Sequence, residues 1–331
     1  NVAAAALSAD NTVANVSFTG STNTFSAAST LANDGTLTFG DATGDSFTFN
    51  GGLTTSSVAG TVTLNTSISS SDDALTFGNI SLGADSTINS AGGAISIGTI
   101  SAASGSRDIT ITSSGGSTNT TTVGTIGGNG NINTVAITGS TSVSLAGNIT
   151  TNDAAGNTVA ITGATIDFNN ITINTNNTNN DGNITLTHNT TQDTVSADAG
   201  TGGIVQITPL TTSAVIETAA NNSSAISEDV FYDIDSFNVA AAFALIGDAS
   251  HTGNIFIGNE VAAIDFGSIA NVQVRNSSSG QILLSSDFDS AGGFLTLTSG
   301  NGVTIQDLND ATATINLGSG ALTVTGAATL A

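Results

Sequence analysis

The chain has 331 residues and a net charge of −23, and only two of its residues are lysine or arginine. Nucleic-acid binding and docking on anionic membranes both need positive side chains, so the composition argues against both. Cysteine is absent, which excludes disulfides, thiolate metal sites and a cysteine nucleophile. Valine, isoleucine, threonine and phenylalanine recur in short alternating runs, and this pattern favours strands over disorder.

Internal copies indicate a repeat. The segments 74–81 and 94–101 share the pattern apolar-x-apolar, small residue, spacer, apolar, and the segment 133–139 returns unchanged as 157–163. Their offsets of 20 and 24 residues match one coil of a solenoid. We therefore predict an all-β fold, a parallel β-helix (β-solenoid) with coils of roughly 20–26 residues. A string of β-sandwich domains is the alternative, but sandwiches repeat at about 100 residues around large aromatic side chains.

Each repeat is interpreted as a strand, a corner and a new strand. Alternation directs Leu75 and Phe77 to one face and Thr76 to the other. We expect the residue after the strand to turn the backbone with a positive φ, which glycine adopts readily and asparagine tolerates: Gly78, Gly98, Gly124 and Asn169. The inward residues are predicted to stack in one ladder: Phe77, Ile97, Val123, Leu145 and Phe168.

The repeat pattern is interrupted between residues 209 and 245. Ser227 is suited to cap a short helix, with Glu228 and Asp229 in its first turn. The apolar residues that follow would share one helical face: Val230, Phe231, Ile234 and Phe237. We predict a β-solenoid over 1–208, an irregular or short-helix insertion over 209–245, and a continued β-solenoid over 246–331. An irregular loop with two strands is the alternative for the insertion.

No catalytic or cofactor-binding residue is predicted, and the chain is expected not to be an enzyme. Without lysine there is neither a P-loop nor a Schiff base, and His188 and His251 are interpreted as solvated turn residues. Two carboxylate pairs at i, i+2 are candidate calcium ligands, with ordinary solvated carboxylates as the alternative: Asp233, Asp235, Asp287 and Asp289. A polysaccharide-active β-helix enzyme could use such a pair as acid and base, but its usual aromatic and basic residues are scarce.

Threonine pairs at i, i+2 suggest a further function. They occur at 36–38, 61–63, 110–112 and 296–298, and stacked on one face they would order water as an ice-binding solenoid does. Their spacing along the chain is irregular, which argues against one continuous plane. Threonine is also simply frequent in strands.

The run Val123–Asn176 resembles the repeats of large bacterial surface proteins of the filamentous-haemagglutinin and autotransporter-passenger type. The segments that carry the resemblance are "GTIGG", "VAITG", "LAGNITT" and "IDFNNITI", followed later by "VQITPL" and "ALIGDASHTGNIFIG". The resemblance implies a parallel β-helix that is secreted to the cell surface and serves as a stalk, fibre or adhesin. It supplies no catalytic residues.

We therefore predict that the chain is a structural or adhesive segment of an extracellular protein. The alternative is a self-assembling subunit of a filament or sheath, because uncovered strand edges at the end of a solenoid, such as Leu322–Thr325, favour stacking of copies end to end. The expected partners are other copies or flanking repeats, together with a host, surface or matrix ligand. The longest apolar stretch, Val239–Ile246, is too short to cross a bilayer.

Overall fold

The computed structural model describes residues 1–116, 119–193, 195–218, 229–231, 237–241, 243–257, 264–265, 271–277, 279–284, 288–289, 294–305, 315–316 and 321–330. Within these residues the regular elements are all β-strands, and the pairings given below are all parallel. The predicted parallel β-solenoid is confirmed. The chain divides into two compact units, Asn1–Ile171 and Thr172–Ala331.

In the first unit the strands form three parallel sheets, which the chain visits in the order A, B, C. Sheet A holds Val2–Ala4, Thr22–Phe25, Ser46–Phe49, Ser67–Ser69, Ser86–Ala91, Arg107–Ser113, Ile132–Gly139 and Thr158–Thr162. Sheet B holds Ser8–Ala9, Ser29–Leu31, Leu53–Thr54, Leu75–Phe77, Ile95–Ile97, Thr120–Val123, Ser142–Leu145 and Thr165–Asp167. Sheet C holds Val16–Phe18, Leu37–Phe39, Val62–Leu64, Ile80–Leu82 and Ile100–Ala102. Single bridges from Ile100 to Ile126 and from Ile126 to Ile149 then extend sheet C as far as the short strand Ile149–Thr150.

The register explains the repeat in the sequence. Partners on neighbouring strands of sheet A lie 20 to 26 residues apart, from the pair Ile68 and Ile88 to the pair Ile111 and Ile137. The two identical segments lie side by side in register, with Ile137 opposite Ile161. The segments 74–81 and 94–101 also lie side by side in register, on sheets B and C. Similar sequence recurs because each coil meets the same neighbours as the coil before it.

The predicted core ladder is confirmed. Phe77, Ile97, Val123 and Leu145 are successive partners on the inner side of sheet B, and Phe168 follows directly after the next strand of that sheet. None of the five side chains is more than 3% exposed. Alternation places these residues inside and leaves Thr76, Ser96 and their equivalents outside.

The first coils have an aromatic core. Phe25 and Phe49 are partners on sheet A, and their rings stack with centroids 4.9 Å apart. Phe18 and Phe39 do the same on sheet C at 5.6 Å, and Phe47 meets both of them edge to face. Stacked aromatic pairs add about 0.5–1.5 kcal/mol beyond the burial of their area. The first unit therefore has a close-packed core without disulfides.

The expectation that glycine corners turn through positive φ was wrong at Gly78, Gly98 and Gly124, none of which lies in the left-handed region. Close stacking explains the glycines at 98 and 124 instead, whereas a Cβ at Gly78 would make only ordinary contacts. A Cβ at Gly124 would run into the carbonyl oxygen of Gly98 in the coil before it, and one at Gly98 would lie 3.0 Å from the carbonyl oxygen of Gly78. The prediction holds at Asn169, whose φ is 48°.

The described residues of the second unit include three sheets and a further group of strands. Sheet D holds Asn183–Thr187, Ile204–Thr208, Phe243–Gly247, Asn271–Arg275, Phe294–Thr298 and Leu322–Thr325. Sheet E holds, in spatial order, Asp229–Phe231, Val215–Thr218, Ile255–Ile257, Ile282–Leu284, Val303–Ile305 and Ala328–Leu330. Sheet F holds Ile264–Asp265, Phe288–Asp289 and Ile315–Asn316. Val195–Asp198 lies between Ile171–Asn174 and Phe237–Ala240 and pairs with both, and Thr190–Gln192 is a further strand.

In the segment 209–245 the described residues include strands, and the insertion itself stays a prediction. Asp229–Phe231 and Phe237–Ala240 are strands where the sequence predicted one face of a helix, whereas Ser227, Glu228 and Ile234 lie outside the described residues. Both strands pair in parallel with solenoid strands, the first with Val215–Thr218. Valine and phenylalanine suit a pleated sheet, and pairing with a strand already present outweighs one favourable helix cap.

Polar side chains at the corners tie one coil to the next. The side-chain oxygen of Asn15 accepts a hydrogen bond from the backbone amide of Thr36, 2.9 Å away and one coil later. Nine such bonds, which we call corner staples, occur among the described residues: Asn1 to Thr22, Asn15 to Thr36, Asp85 to Asp108, Asp108 to Thr134, Asp181 to Gly202, Asn183 to Ile204, Asn189 to Thr211, Asn254 to Gln281 and Asn271 to Phe294. The corner staples satisfy amides that the sheets leave unpaired where the chain turns.

Candidate binding surface

The outer side of sheet A in the first unit carries a continuous row of short polar side chains. Successive register partners form this row, which we call the hydroxyl row: Thr24, Thr48, Ser69, Asn89, Thr112, Thr138 and Thr162. Neighbouring strands lie about 4.8 Å apart, so the row is a regular array with that spacing. The hydroxyls of Thr48 and Ser69 are hydrogen-bonded to each other at 3.2 Å, which orients both groups.

Sheets B and C present similar rows. The sheet B row consists of Thr30, Thr54, Thr76, Ser96, Thr122, Ser144 and Asp167. The sheet C row consists of Ser17, Thr38, Thr63, Ser81 and Ser101. Each outer face of the first unit therefore shows hydroxyl groups at the strand repeat.

The acidic residues are segregated from these rows. The first unit has ten aspartates and no glutamate, and eight of the ten lie between strands. Asp108 stands at the start of its strand, outside the hydroxyl row, and Asp167 ends the row on sheet B. With most carboxylates at corners, the hydroxyl row on sheet A is uncharged in a strongly acidic chain. An uncharged ligand can then approach a face without desolvating a carboxylate, a step that costs free energy.

The four threonine pairs singled out from the sequence do not form one plane. The pairs at 36–38 and 61–63 are neighbours on sheet C, where Thr38 is opposite Thr63. The pair at 110–112 lies on sheet A, and the pair at 296–298 lies on sheet D of the second unit. The continuous array on sheet A arises because serine and asparagine occupy the same row as threonine, which a search for Thr-x-Thr alone does not detect.

The predicted calcium ligands are only partly described. Asp233, Asp235 and Asp287 lie outside the described residues, and Asp289 ends the strand Phe288–Asp289. Among the side chains that the structure describes, no group of three or more histidine, cysteine, aspartate or glutamate residues could hold a metal ion. Calcium binding by these four aspartates stays a prediction.

The interpretation of the histidines as solvated turn residues was wrong. His188 is 0% and His251 is 1% exposed. His188 directly follows the strand Asn183–Thr187, so the alternation of Ile184 and Leu186 continues to it and directs its ring inward. Burial lowers the pKa of His188 to about 3. Burial also lowers the pKa of His251, although the nearby carboxylate of Asp248 and a backbone hydrogen bond with Asn254 act in the opposite direction.

The sequence did not predict that some asparagine side chains would be buried. Asn33 is fully buried, and its side-chain nitrogen donates to three backbone carbonyls, those of Ala14, Gly35 and Thr36, at 2.9 to 3.1 Å. Asn157 is likewise buried and donates to the hydroxyl of Thr151 at 3.1 Å. The sequence signal for such residues is weak, because asparagine at a corner is usual whether its side chain points in or out.

No protein-family model, curated protein or solved structure matches this chain significantly. Among the described residues, no helix is long and apolar enough to span a membrane.

Proposed function

We propose that this chain is a structural and adhesive segment of an extracellular surface protein, without catalytic activity. The observation that carries the proposal is the hydroxyl row on sheet A, an uncharged and regularly spaced row of side chains on a stack of coils. The stacked core supplies stiffness, and the outer rows supply a repeated surface. Resemblance of the sequence to bacterial surface repeats supports secretion of the chain to the cell surface.

The proposed mechanism is multivalent contact. Each coil adds one more copy of a similar group at a fixed spacing, so weak contacts with a repetitive ligand add along one face. The ligand class that fits is an uncharged, hydroxyl-rich surface such as a neutral polysaccharide. The aspartates at the corners would repel an anionic surface, and high salt would weaken this repulsion.

Adhesion can be tested with beads coated with the purified chain. Retention under flow is measured on a neutral polysaccharide, an anionic polysaccharide and a protein matrix. We expect retention on the neutral polysaccharide and a loss of at least tenfold in the double variant Thr112→Asp, Thr138→Asp. The matched control is Thr38→Asp, Thr63→Asp on sheet C, which adds the same charge on another face. Beads that bind none of the three surfaces would overturn the adhesive proposal.

Extracellular location needs a separate measurement. Antibodies against the chain should label intact, unpermeabilised cells of the source organism. Labelling that appears only after permeabilisation would contradict secretion, whatever the beads show.

A filament or sheath subunit is the second candidate. Val2 and Leu322 occupy inner register positions, opposite the buried Asn23 and Leu295, yet they are 42% and 40% exposed. A further coil would cover such apolar positions, either from a longer chain or from a second copy. Copies stacked head to tail form an open filament. Light scattering across an ionic-strength series tests this. Growth of scattering with salt supports stacking, because salt screens repulsion between acidic chains, and a monomer at every salt concentration contradicts it.

A further inference from the structure

Asparagine followed by glycine occurs three times in the chain, at Asn50, Asn129 and Asn301. In such a pair the backbone nitrogen of the glycine can attack the side-chain carbonyl carbon of the asparagine, because glycine has no Cβ to hinder the approach. The side-chain amide then leaves as ammonia. A hydrogen bond on the leaving amide or on the attacking nitrogen has to break first, so it slows the reaction.

Hydrogen bonds restrain two of the three pairs. The side-chain nitrogen of Asn129 donates to the carbonyl of Ala102. The side-chain nitrogen of Asn301 donates to the carbonyl of Ser279 at 3.0 Å. The glycine after Asn301 is held as well, because its amide donates to a serine hydroxyl at 3.1 Å. At both sites the group that would leave is therefore already bound.

Aspartate followed by glycine can form the same ring, and it occurs at Asp34 and Asp181. The glycine after Asp34 donates its amide to the carbonyl of Ala14 at 2.7 Å, and the glycine after Asp181 donates its amide to the carbonyl of Thr175 at 3.0 Å. The attacking nitrogen is thus held at both of these sites.

The pair Asn50 and Gly51 has neither restraint. The two residues are the centre of a turn, which is closed by a hydrogen bond of 2.9 Å from the amide of Gly52 to the carbonyl of Phe49. Asn50 is exposed. Among the described residues, neither its side chain nor the amide of Gly51 makes a hydrogen bond. Both the leaving group and the attacking group are therefore available here.

We propose that Asn50 is a site of spontaneous deamidation, and that its isoaspartyl product loosens the coil around it. The nitrogen of Gly51 bonds to Cγ of Asn50, the bond from Cγ to Nδ2 breaks, and ammonia leaves with the proton of the Gly51 amide. Water then opens the succinimide ring. Hydrolysis between the nitrogen and Cγ gives aspartate, and hydrolysis between the nitrogen and the backbone carbonyl carbon gives isoaspartate. Water is the only co-reactant.

Isoaspartate does not fit this corner, because the main chain then runs through the former side chain and gains a carbon atom. The amide of Asn50 donates to the carbonyl of Phe25 at 2.8 Å, and the carbonyl of Asn50 accepts from the hydroxyl of Ser71 at 3.4 Å. A Cβ on Gly51 would lie only 2.3 Å from the backbone of residues 27–28 in the coil before it. The longer chain must therefore move away from its neighbours, beside the aromatic core of the first coils.

The first test follows deamidation of the folded full chain at pH 8 and physiological temperature. Samples taken over time are digested with pepsin in acid, where the reaction is slow, and mass spectrometry measures the acidic product at each site. Asn50 should react at least fivefold faster than Asn129 and Asn301, because no hydrogen bond has to break there. Equal rates at the three sites, or no reaction at Asn50, would overturn the proposal.

The same measurement in denaturant separates the effect of the fold from that of the sequence. All three asparagines precede glycine, so unfolding should make their rates similar. If Asn50 kept its lead in the unfolded chain, the flanking sequence would be the cause and the proposal would fail.

A third test measures what the product does to stability. A methyltransferase specific for isoaspartate reports the modified fraction, and denaturant unfolding gives the midpoint of the first unit. The midpoint should fall in aged wild type and stay constant in aged Asn50→Gln, whose longer side chain closes a ring far more slowly. Fresh Asn50→Asp adds the charge without lengthening the main chain and should unfold like fresh wild type. Aged wild type that contains isoaspartate but keeps its midpoint would contradict the loosening.

Discussion

Thr121 pairs in register with Ile95 on the inner side of sheet B, so a hydroxyl stands where the neighbouring coil places only hydrocarbon. The coil after it places Val143 at the same position. Thr121 is fully buried, and its hydroxyl oxygen has no hydrogen-bond partner. An unpaired buried hydroxyl costs about 1–3 kcal/mol. The ladder therefore tolerates a small loss of stability at this coil.

Thr121→Val should stabilise the first unit by about 1 kcal/mol, because it replaces an unpaired hydroxyl with a methyl group of the same shape. The measurement is the midpoint of denaturant unfolding. Thr122→Val, at the half-exposed outward position next to it, is the matched control and should change little. A lower midpoint for Thr121→Val would mean that a bound water pairs with the hydroxyl.

Ile97→Asp should destabilise the first unit by several kcal/mol, because the carboxylate would be buried between Phe77 and Val123 without a partner. Ser96→Asp adds the same charge on the exposed outer side of the same strand and should be tolerated. Thermal unfolding followed by circular dichroism compares the two variants. Equal midpoints would contradict the inward position of residue 97.

Gly124→Ala should cost about 1–3 kcal/mol, since the new Cβ would meet the carbonyl oxygen of Gly98 and push two coils apart. Gly44→Ala is the control, because no atom lies within 4 Å of the Cβ it would add and its φ is not in the left-handed region. Unfolding midpoints of the two variants check the prediction. A large effect at both sites would point to backbone flexibility rather than close stacking.

Asn15→Ala should destabilise the first unit by about 1 kcal/mol by removing one corner staple. Asn15→Asp keeps the accepting oxygen, as Asp85 and Asp108 do in their own corner staples, and should retain most of the stability. Denaturant midpoints for the three proteins give the comparison. An alanine variant as stable as the wild type would show that water replaces the side chain at this corner.

Removal of calcium should lower the thermal midpoint if the aspartates at 233, 235, 287 and 289 bind the ion through their oxygens. Melts with and without chelator test this in the wild type and in the double variant Asp287→Asn, Asp289→Asn. The variant should lose the response to chelator. A wild-type midpoint that does not respond would leave these carboxylates a role in solvation only.

The fold was predictable because each coil repeats one simple pattern. The alternation of Leu75 and Phe77 and the repeated segment at 133–139 were enough to predict strands, period and register. Sequence reasoning did less well where several environments suit one residue. A glycine such as Gly124 fits a turn and a close approach equally, and His188 follows an inward alternation yet belongs to a polar residue type. The hydroxyl row needed the register, because its members lie about one coil apart in the sequence.

The corner staples have a direction. In all nine the accepting oxygen belongs to the earlier coil and the amide to the later one. Two bonds between described residues run in reverse, from the amide of Val2 to Asn23 and from the amide of Leu7 to the hydroxyl of Ser29. When only the first coils have folded, their last coil therefore has free side-chain oxygens at its corners that can accept hydrogen bonds from the amides of the next coil. The first coil has few such acceptors. Growth from the amino-terminal coil onward therefore meets such acceptors at several steps, which suits a chain that emerges amino terminus first and folds as it appears.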